Sequence, residues 1–131
     1  MGTRSTIALE FADGTVQQVY CHWDGYLEHN GKILAEHYMD PFKVRDLINL
    51  GGFSSLDSSV EATKSTAYTQ RGEDLSIEKF IDFEDYVDNH QYEEYEYILR
   101  QVDGKAVWFV AEHSNRFRPL AAELALVGEA A

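Results

Sequence analysis

The stretch STIALEFADGTVQQVYCHWDG, residues 5–25, predicts a β-hairpin. Its first run alternates between core-facing residues and smaller or more polar neighbours, the core-facing set being Ser5, Ile7, Leu9 and Phe11. Asp13-Gly14 then supplies a two-residue turn that is typical of hairpins. A second run over 15–23 returns the chain beside the first. Val16 is out of phase with the rest of that run, which predicts a bulge near Gln17-Gln18.

The returning run carries the densest chemistry of the chain, because Cys21, His22, Trp23 and Asp24 are consecutive. On a strand, Cys21 and Trp23 share a face and His22 points to the other one. We therefore expect a core thiol and a core indole beside an exposed imidazole. A thiol and an imidazole on opposite faces cannot act together as a nucleophile and its base.

Outward from this hairpin, helical and strand patterns follow one another. The apolar spacing predicts a helix over 28–39, in which Gly31 indicates close packing, and a second helix that Asp40-Pro41 caps. Further along we predict a loop over 53–64 and a short strand over 66–71, followed by a segment over 75–87 whose period fits either a helix or a strand. Two strands are then predicted over 95–99 and 106–111, around the turn Asp103-Gly104. Arg118-Pro119 opens a final helix. This order predicts a single α+β domain over 1–131, with an antiparallel sheet built from two β-hairpins and helices packed on one face.

The chain is strongly acidic, with 23 acidic and 11 basic residues and a formal net charge of −12. Ten of the carboxylates lie between residues 73 and 96, beside the single base Lys79. This charge disfavours direct binding to nucleic acid and to anionic membranes. No apolar run is long enough for a transmembrane helix. One cysteine allows no internal disulfide, which predicts a cytoplasmic protein.

The acidic segment predicts a partner-binding surface, because spaced carboxylates can imitate the phosphates of nucleic acid and occupy a basic groove on another protein. Its carboxylates are Glu73, Asp74, Glu78, Asp82, Glu84, Asp85, Asp88, Glu93, Glu94 and Glu96. The aromatic residues interleaved with them are Phe80, Phe83, Tyr86, Tyr92 and Tyr95, which such a surface would use as anchors. The alternative is a solvated acidic face that keeps the protein soluble, with the aromatic residues in the core.

A second interpretation is a small-ligand site that sequesters a nucleotide signal. Its predicted residues are Arg4, His22, Trp23, Asp24 and Tyr26. Arg4 would hold a phosphate, unless it pairs with one of the many carboxylates, and an aromatic ring would stack on the base. A hydrolase that uses His22 and Asp24 is the third interpretation, although no catalytic set can be assembled from the spacing and the chain is more simply explained as a non-enzyme.

The histidines show no spacing typical of metal ligands, so no metal or cofactor is expected. The candidates weighed for such a site are His22, Asp24, His29, His37, His90 and His113.

The N-terminal third carries a recognisable pattern: Arg4-Ser5-Thr6-Ile7-Ala8, then YCHWDGY over 20–26, GKIL over 31–34 and His37-Tyr38. This pattern resembles a group of small, uncharacterised proteins encoded by bacteriophages. The resemblance implies a phage origin and hence the cytoplasm of a bacterial host, and it implies no activity. It favours an acidic accessory protein that binds and inhibits a host or defence protein. A homodimer is also open, since small tyrosine-rich sheet domains often pair.

Overall fold

The computed structural model describes residues 3–90 and 93–130, with the backbone alone for 128–130. In that part of the chain it contains a six-stranded sheet and five α-helices. The strands are β1 (Ser5–Glu10), β2 (Val16–Cys21), β3 (Glu78–Phe80), β4 (Tyr95–Val102), β5 (Lys105–Glu112) and β6 (Arg118–Pro119). The helices are α1 (Lys32–His37), α2 (Pro41–Ile48), α3 (Val60–Lys64), α4 (Phe83–Asn89) and α5 (Leu120–Ala130), with a π-helix over Leu27–Gly31 and a 3-10 helix over Tyr68–Arg71.

Strands β1 and β2 pair antiparallel across the Asp13-Gly14 turn, whose glycine adopts a φ of +92°. That angle lies in the left-handed region, which glycine enters without steric cost. The register of the two strands is uninterrupted, so the predicted bulge near Gln17-Gln18 is wrong. Val16 keeps its phase because it packs on the second face of the sheet, in one cluster with Phe80.

The centre of the sheet is a parallel pair, since Ser5 lies opposite Tyr95 and Leu9 opposite Leu99 in strands β1 and β4. The strand order is β3-β2-β1-β4-β5-β6, and every other neighbouring pair is antiparallel. The α+β class is confirmed. The sheet is mostly antiparallel, as predicted, but its central pair is parallel and β3 and β6 extend its edges, so its construction from two hairpins alone is not confirmed. Alternation along a strand is the same whichever way its neighbour runs, so the pattern could not show this.

The larger core lies on the first face of the sheet, beneath the π-helix, α1, α2 and α5. Its fully buried members include Ile7, Cys21, Leu34, Tyr38, Val44, Leu47, Ile48, Phe53 and Tyr97. Gly31 lies where α5 crosses the π-helix, and a Cβ added there would lie 3.4 Å from Leu120 Cδ1. The close packing predicted at Gly31 is therefore confirmed.

Helix α4 covers the second face of the sheet, so the prediction that helices pack on one face only is wrong. The smaller core beneath it consists of Ala8, Val16, Phe80, Tyr86 and Ile98, with Phe83, Val87, Phe109 and Phe117 packed around them. The segment 75–87, which fitted either a helix or a strand, contains both: β3 ends at Phe80 and α4 begins at Phe83. Asp82 separates them as the N-cap of α4.

The first two predicted helices form, with different bounds. The helix predicted over 28–39 consists of the π-helix followed by α1, which ends at His37. The predicted cap of the next helix is confirmed, because the Asp40 carboxylate accepts a hydrogen bond of 3.0 Å from the Phe42 N–H.

Three other local predictions are wrong. The loop predicted over 53–64 contains α3, which Ser59 caps. The strand predicted over 66–71 is a single β-bridge at Ala67 followed by the 3-10 helix. Arg118-Pro119 forms β6 against strand β5, and α5 starts one residue later.

Candidate functional site

The predicted partner-binding segment is largely exposed. Its exposed carboxylates are Glu73, Asp74, Glu78, Asp82, Glu84 and Asp88, and the half-buried ones are Asp85, Glu93 and Glu94. The one base among them, Lys79, is exposed as well. We call these nine carboxylates the acidic surface.

Glu96 does not belong to this surface, because its side chain is 1% exposed and contacts the buried His90 at the end of α4. Burial raises the pKa of Glu96, while the hydrogen bond and the charge of His90 act in the opposite direction. The Glu93 N–H also donates a hydrogen bond of 3.1 Å to Glu96 Oε1. The prediction that Glu96 contacts a partner is therefore corrected: this carboxylate lies in the buried layer between α4 and the sheet.

The layer between α4 and the sheet is polar around this pair. Thr6 lies opposite Glu96 in the parallel pair of strands, and the side chains of Thr6 and Gln18 are buried. The Tyr86 ring stacks on the His90 ring, with centroids 5.0 Å apart. Helix α4 is thus connected to the sheet by the buried contact between His90 and Glu96 as well as by apolar contacts.

Two carboxylates of the acidic surface shape the start of α4. Asp82 accepts a hydrogen bond of 2.7 Å from the Asp85 N–H, and Asp85 accepts one of 2.9 Å from the Ile81 N–H. Asn89 donates another of 2.7 Å to Asp85. Asp82 and Asp85 are therefore partly engaged within the chain, which leaves the other members of the acidic surface more available to a partner.

The aromatic residues of the segment mostly face inward. Phe80 and Tyr86 are buried and Phe83 and Tyr95 are half-buried, whereas Tyr92 lies outside the described residues. The large apolar side chains that do reach solvent here are aliphatic: Leu75 is 59% exposed and Ile81 is 78% exposed. Any apolar contact with a partner would therefore use these two residues.

A second group of functional candidates gathers at the end of β2. The Tyr20 hydroxyl and His22 Nδ1 are hydrogen-bonded at 2.8 Å, and the His22 ring meets the Trp23 ring edge-on, with centroids 4.6 Å apart. The Tyr20 ring stacks on the Tyr68 ring, with centroids 6.4 Å apart and 24° between the planes. Trp23 is 42% exposed, so its predicted place in the core is wrong. Strand β2 ends at Cys21, and the alternation of faces ends with it.

The chain brings Tyr68 beside Tyr20 through a short extension of the sheet. Phe53 donates a backbone hydrogen bond of 2.9 Å to the Tyr20 carbonyl, and Tyr68 donates one of 3.0 Å to the Gly52 carbonyl. A Cβ on Gly52 would lie 3.0 Å from the Tyr68 ring. The absence of a side chain at Gly52 thus lets the tyrosine ring lie flat against the backbone.

Two arginines border these rings. Arg4 immediately precedes β1, whose first residue, Ser5, pairs with Cys21, so Arg4 lies beside the end of β2. Burial raises the pKa of Tyr20, the charge of Arg4 opposes that rise, and the charge of Glu93 adds to it. Arg71 lies over the Tyr68 ring at 4.7 Å from its centroid and pairs with Glu73 at 3.2 Å. We call Arg4, Tyr20, His22, Trp23, Tyr68 and Arg71 the arginine–aromatic cluster. Sequence reasoning did not assign Tyr20 to a site, and it missed Tyr68 and Arg71 because residues 66–71 reach the sheet through one bridge only.

Asp24 and Tyr26, the other two predicted ligand residues, serve the turn after β2. Asp24 has a φ of 58°, and its carbonyl accepts a hydrogen bond of 3.2 Å from the Asn30 N–H. Tyr26 precedes the π-helix, and its ring lies 6.2 Å from the His29 ring. Within residues 3–90 and 93–127, no hydrogen bond, ion pair or ring contact joins Asp24 or Tyr26 to His22. This arrangement gives the hydrolase interpretation no base and carboxylate pair.

Cys21 is fully buried and its environment does not activate the thiol. Asn30 Nδ2 donates to Cys21 Sγ at 3.5 Å and to Ser5 Oγ at 3.2 Å. Burial raises the pKa of Cys21 to about 11, and the hydrogen bond from Asn30 opposes the rise. Because the thiolate is the reactive form of cysteine, this thiol is a structural residue.

Two other features are absent from the residues that the structure describes. No group of three or more His, Cys, Asp or Glu side chains there could hold a metal ion. No helix there is long and apolar enough to cross a membrane.

Comparisons of the chain with protein-family models, with curated proteins and with solved structures found no match.

Proposed function

We propose that this chain is a phage-encoded, non-enzymatic protein that binds a basic groove on a host or defence protein through its acidic surface. It would act in the bacterial cytoplasm and inhibit its partner by occupying a groove that otherwise receives nucleic acid. The observation that carries the proposal is the exposure of the acidic surface together with two exposed aliphatic side chains, Leu75 and Ile81.

The outer face of α4 supports a role beyond stability. Glu84 and Asp88 are both exposed and lie one turn apart. Like charges at this spacing destabilise a helix by a few tenths of a kcal/mol. Among the described residues, no ion pair with a base relieves either carboxylate. Both carboxylates are therefore available to a basic partner.

The two aliphatic side chains give a partner something to bury. Leu75 and Ile81 lie on either side of β3 and among the carboxylates. Full burial of such a side chain is worth roughly 1.5–3 kcal/mol. An acidic surface with apolar anchors matches a basic groove with an apolar floor, where charges steer the encounter and apolar contacts retain the complex.

The test starts with a pull-down from bacterial lysate, washed at low and then at high salt. A partner that elutes with salt is purified, and its affinity is measured by calorimetry against the triple variant Glu78→Gln, Glu84→Gln, Asp88→Asn. These positions are exposed, and the capping residues Asp82 and Asp85 are untouched. We expect the triple variant to bind about tenfold more weakly, since exposed ion pairs contribute roughly 0.2–1 kcal/mol each.

The matched control is the triple variant Glu36→Gln, Glu61→Gln, Glu112→Gln, which changes net charge equally at exposed positions elsewhere. Its affinity should stay close to that of the wild type. Equal weakening by both triple variants would reduce the effect to net charge and reject the acidic surface as the site. Unchanged affinity in the first variant would reject it as well.

A further inference from the structure

We propose that the arginine–aromatic cluster is a binding site for a nucleotide, with the base against Trp23 and His22 and the phosphate on Arg4. This inference is independent of the partner-binding role, because the variants that test the two share no residue.

Three half-buried rings, those of Tyr20, His22 and Tyr68, lead to one exposed indole, that of Trp23. The order of contacts runs from Trp23 through His22 and Tyr20 to Tyr68, each ring touching the next. Trp23 is 42% exposed, whereas the only other tryptophan, Trp108, is 3% exposed. An exposed indole beside other rings is the surface on which nucleobases stack, since every base has a π-face.

The cluster also contains cations that could bind a phosphate. The chain has 11 basic residues against 23 acidic ones, yet the cluster contains two arginines, of which Arg71 pairs with Glu73 and Arg4 lies beside the end of β2. Among the described residues, no carboxylate lies within 4.0 Å of the Arg4 guanidinium. Guanidinium groups bind phosphate through paired, charge-assisted hydrogen bonds. Arg4 can therefore bind the phosphate of a ligand, which the carboxylates elsewhere on this protein would repel.

The side chain of His22 and the backbone of Trp23 are held in place by hydrogen bonds. The Tyr20 hydroxyl fixes the His22 ring through its hydrogen bond to Nδ1. The Trp23 backbone is held by a hydrogen bond of 2.9 Å from its N–H to the Ser54 carbonyl. Preorganised side chains lose less conformational entropy when a ligand binds, which favours binding of a small molecule.

The test uses the wild-type chain and AMP, GMP, CMP and UMP as probes, with tryptophan fluorescence as the readout. Trp108 is buried, so quenching on addition of a nucleotide reports on Trp23. Adenosine and inorganic phosphate are titrated separately to distinguish the base from the phosphate. We expect AMP or GMP to quench, and adenosine to bind at least about tenfold more weakly, because a hydrogen bond to a charged group is lost.

Calorimetry on variants assigns the roles. Trp23→Leu should weaken nucleotide binding by about ten- to a hundredfold through the loss of stacking. Arg4→Gln should reduce AMP to the affinity of adenosine and leave adenosine itself unchanged. Arg116→Gln removes an exposed arginine elsewhere and should leave both affinities unchanged. Melting temperatures of all variants are compared, so that a fold defect is not mistaken for a binding defect.

Either of two results would overturn the proposal. One is the absence of quenching by all four nucleotides up to millimolar concentration. The other is nucleotide binding that Trp23→Leu and Arg4→Gln do not weaken, because the ligand would then occupy another site.

Discussion

Gly25 lies against the residues that lead into β1. A Cβ on Gly25 would lie 2.7 Å from Ser5 Cβ and 2.8 Å from the Thr3 carbonyl oxygen. The Gly25 N–H also donates to that oxygen at 2.8 Å, and the Tyr97 hydroxyl donates to the Gly25 carbonyl at 2.6 Å. The turn after β2 therefore depends on the absence of a side chain.

We expect Gly25→Ala to lower the free energy of unfolding by about 1–3 kcal/mol, the usual cost of overpacking. Urea denaturation measures it. Gly31→Ala is the matched control, because the added Cβ would meet neighbours no closer than 3.4 Å and should be tolerated. Equal stability of both variants would contradict the close approach at Gly25.

Individual residues also show which side-chain positions could be predicted from the sequence and which could not. The burial of Cys21 follows from the alternation of β2 and is confirmed, whereas His22, expected to be exposed, is half-buried. Trp23 is exposed instead of buried, because alternation has meaning only while the strand continues. The prediction for Glu96 is wrong for a different reason. A carboxylate between two tyrosines is expected to face solvent, and nothing in the local sequence indicates that it contacts His90 at the end of α4.

At the scale of elements, α4 is a short helix that depends on its N-cap. It has seven residues and covers the smaller core by itself. We expect Asp82→Ala to cost about 1 kcal/mol, because the Asp85 N–H loses its acceptor. Urea denaturation measures the loss.

Asp82→Asn separates the cap from the charge. Asparagine keeps a side-chain acceptor and caps helices about as well as aspartate does. Its stability should therefore stay near that of the wild type. A loss as large as that of the alanine variant would show that the charge at the helix start, and not the hydrogen bond, stabilises α4.

The elements themselves were more predictable than their arrangement. Turns such as Asp13-Gly14 and caps such as Asp40-Pro41 act over a few residues, so they are visible in the sequence. The parallel pairing of β1 with β4 joins distant segments, and the packing of α4 on the second face depends on that pairing. The arginine–aromatic cluster was half predictable for the same reason: Arg4, His22 and Trp23 are local to one hairpin, and Tyr68 is not.

At the scale of the whole molecule, the buried Glu96 links stability to pH. Its folded-state pKa is raised above 4.5 by burial, so the folded chain holds the proton more tightly than the unfolded chain does. The stabilisation from this group is complete below pH 4.5 and is lost as pH rises through the folded-state pKa.

We therefore expect the wild type to lose stability relative to Glu96→Gln as pH rises from 4.5 towards 7. For a single group the slope cannot exceed about 1.4 kcal/mol per pH unit. Urea denaturation across this range provides the measurement, and Glu36→Gln controls for loss of an exposed carboxylate. A wild type that gains on the Gln variant as pH rises would mean that the charge of His90 outweighs the burial of Glu96.

The parallel pair at the centre of the sheet also constrains how the protein is made. Ser5 pairs with Tyr95, ninety positions later in the chain. At roughly 5–20 residues per second, the ribosome needs on the order of 5–18 s to supply the missing neighbour. During that interval one long side of β1 has no strand to receive its hydrogen bonds. Until β4 is synthesised, the N-terminal hairpin therefore has an unpaired strand edge, which a chaperone or a second nascent chain could bind.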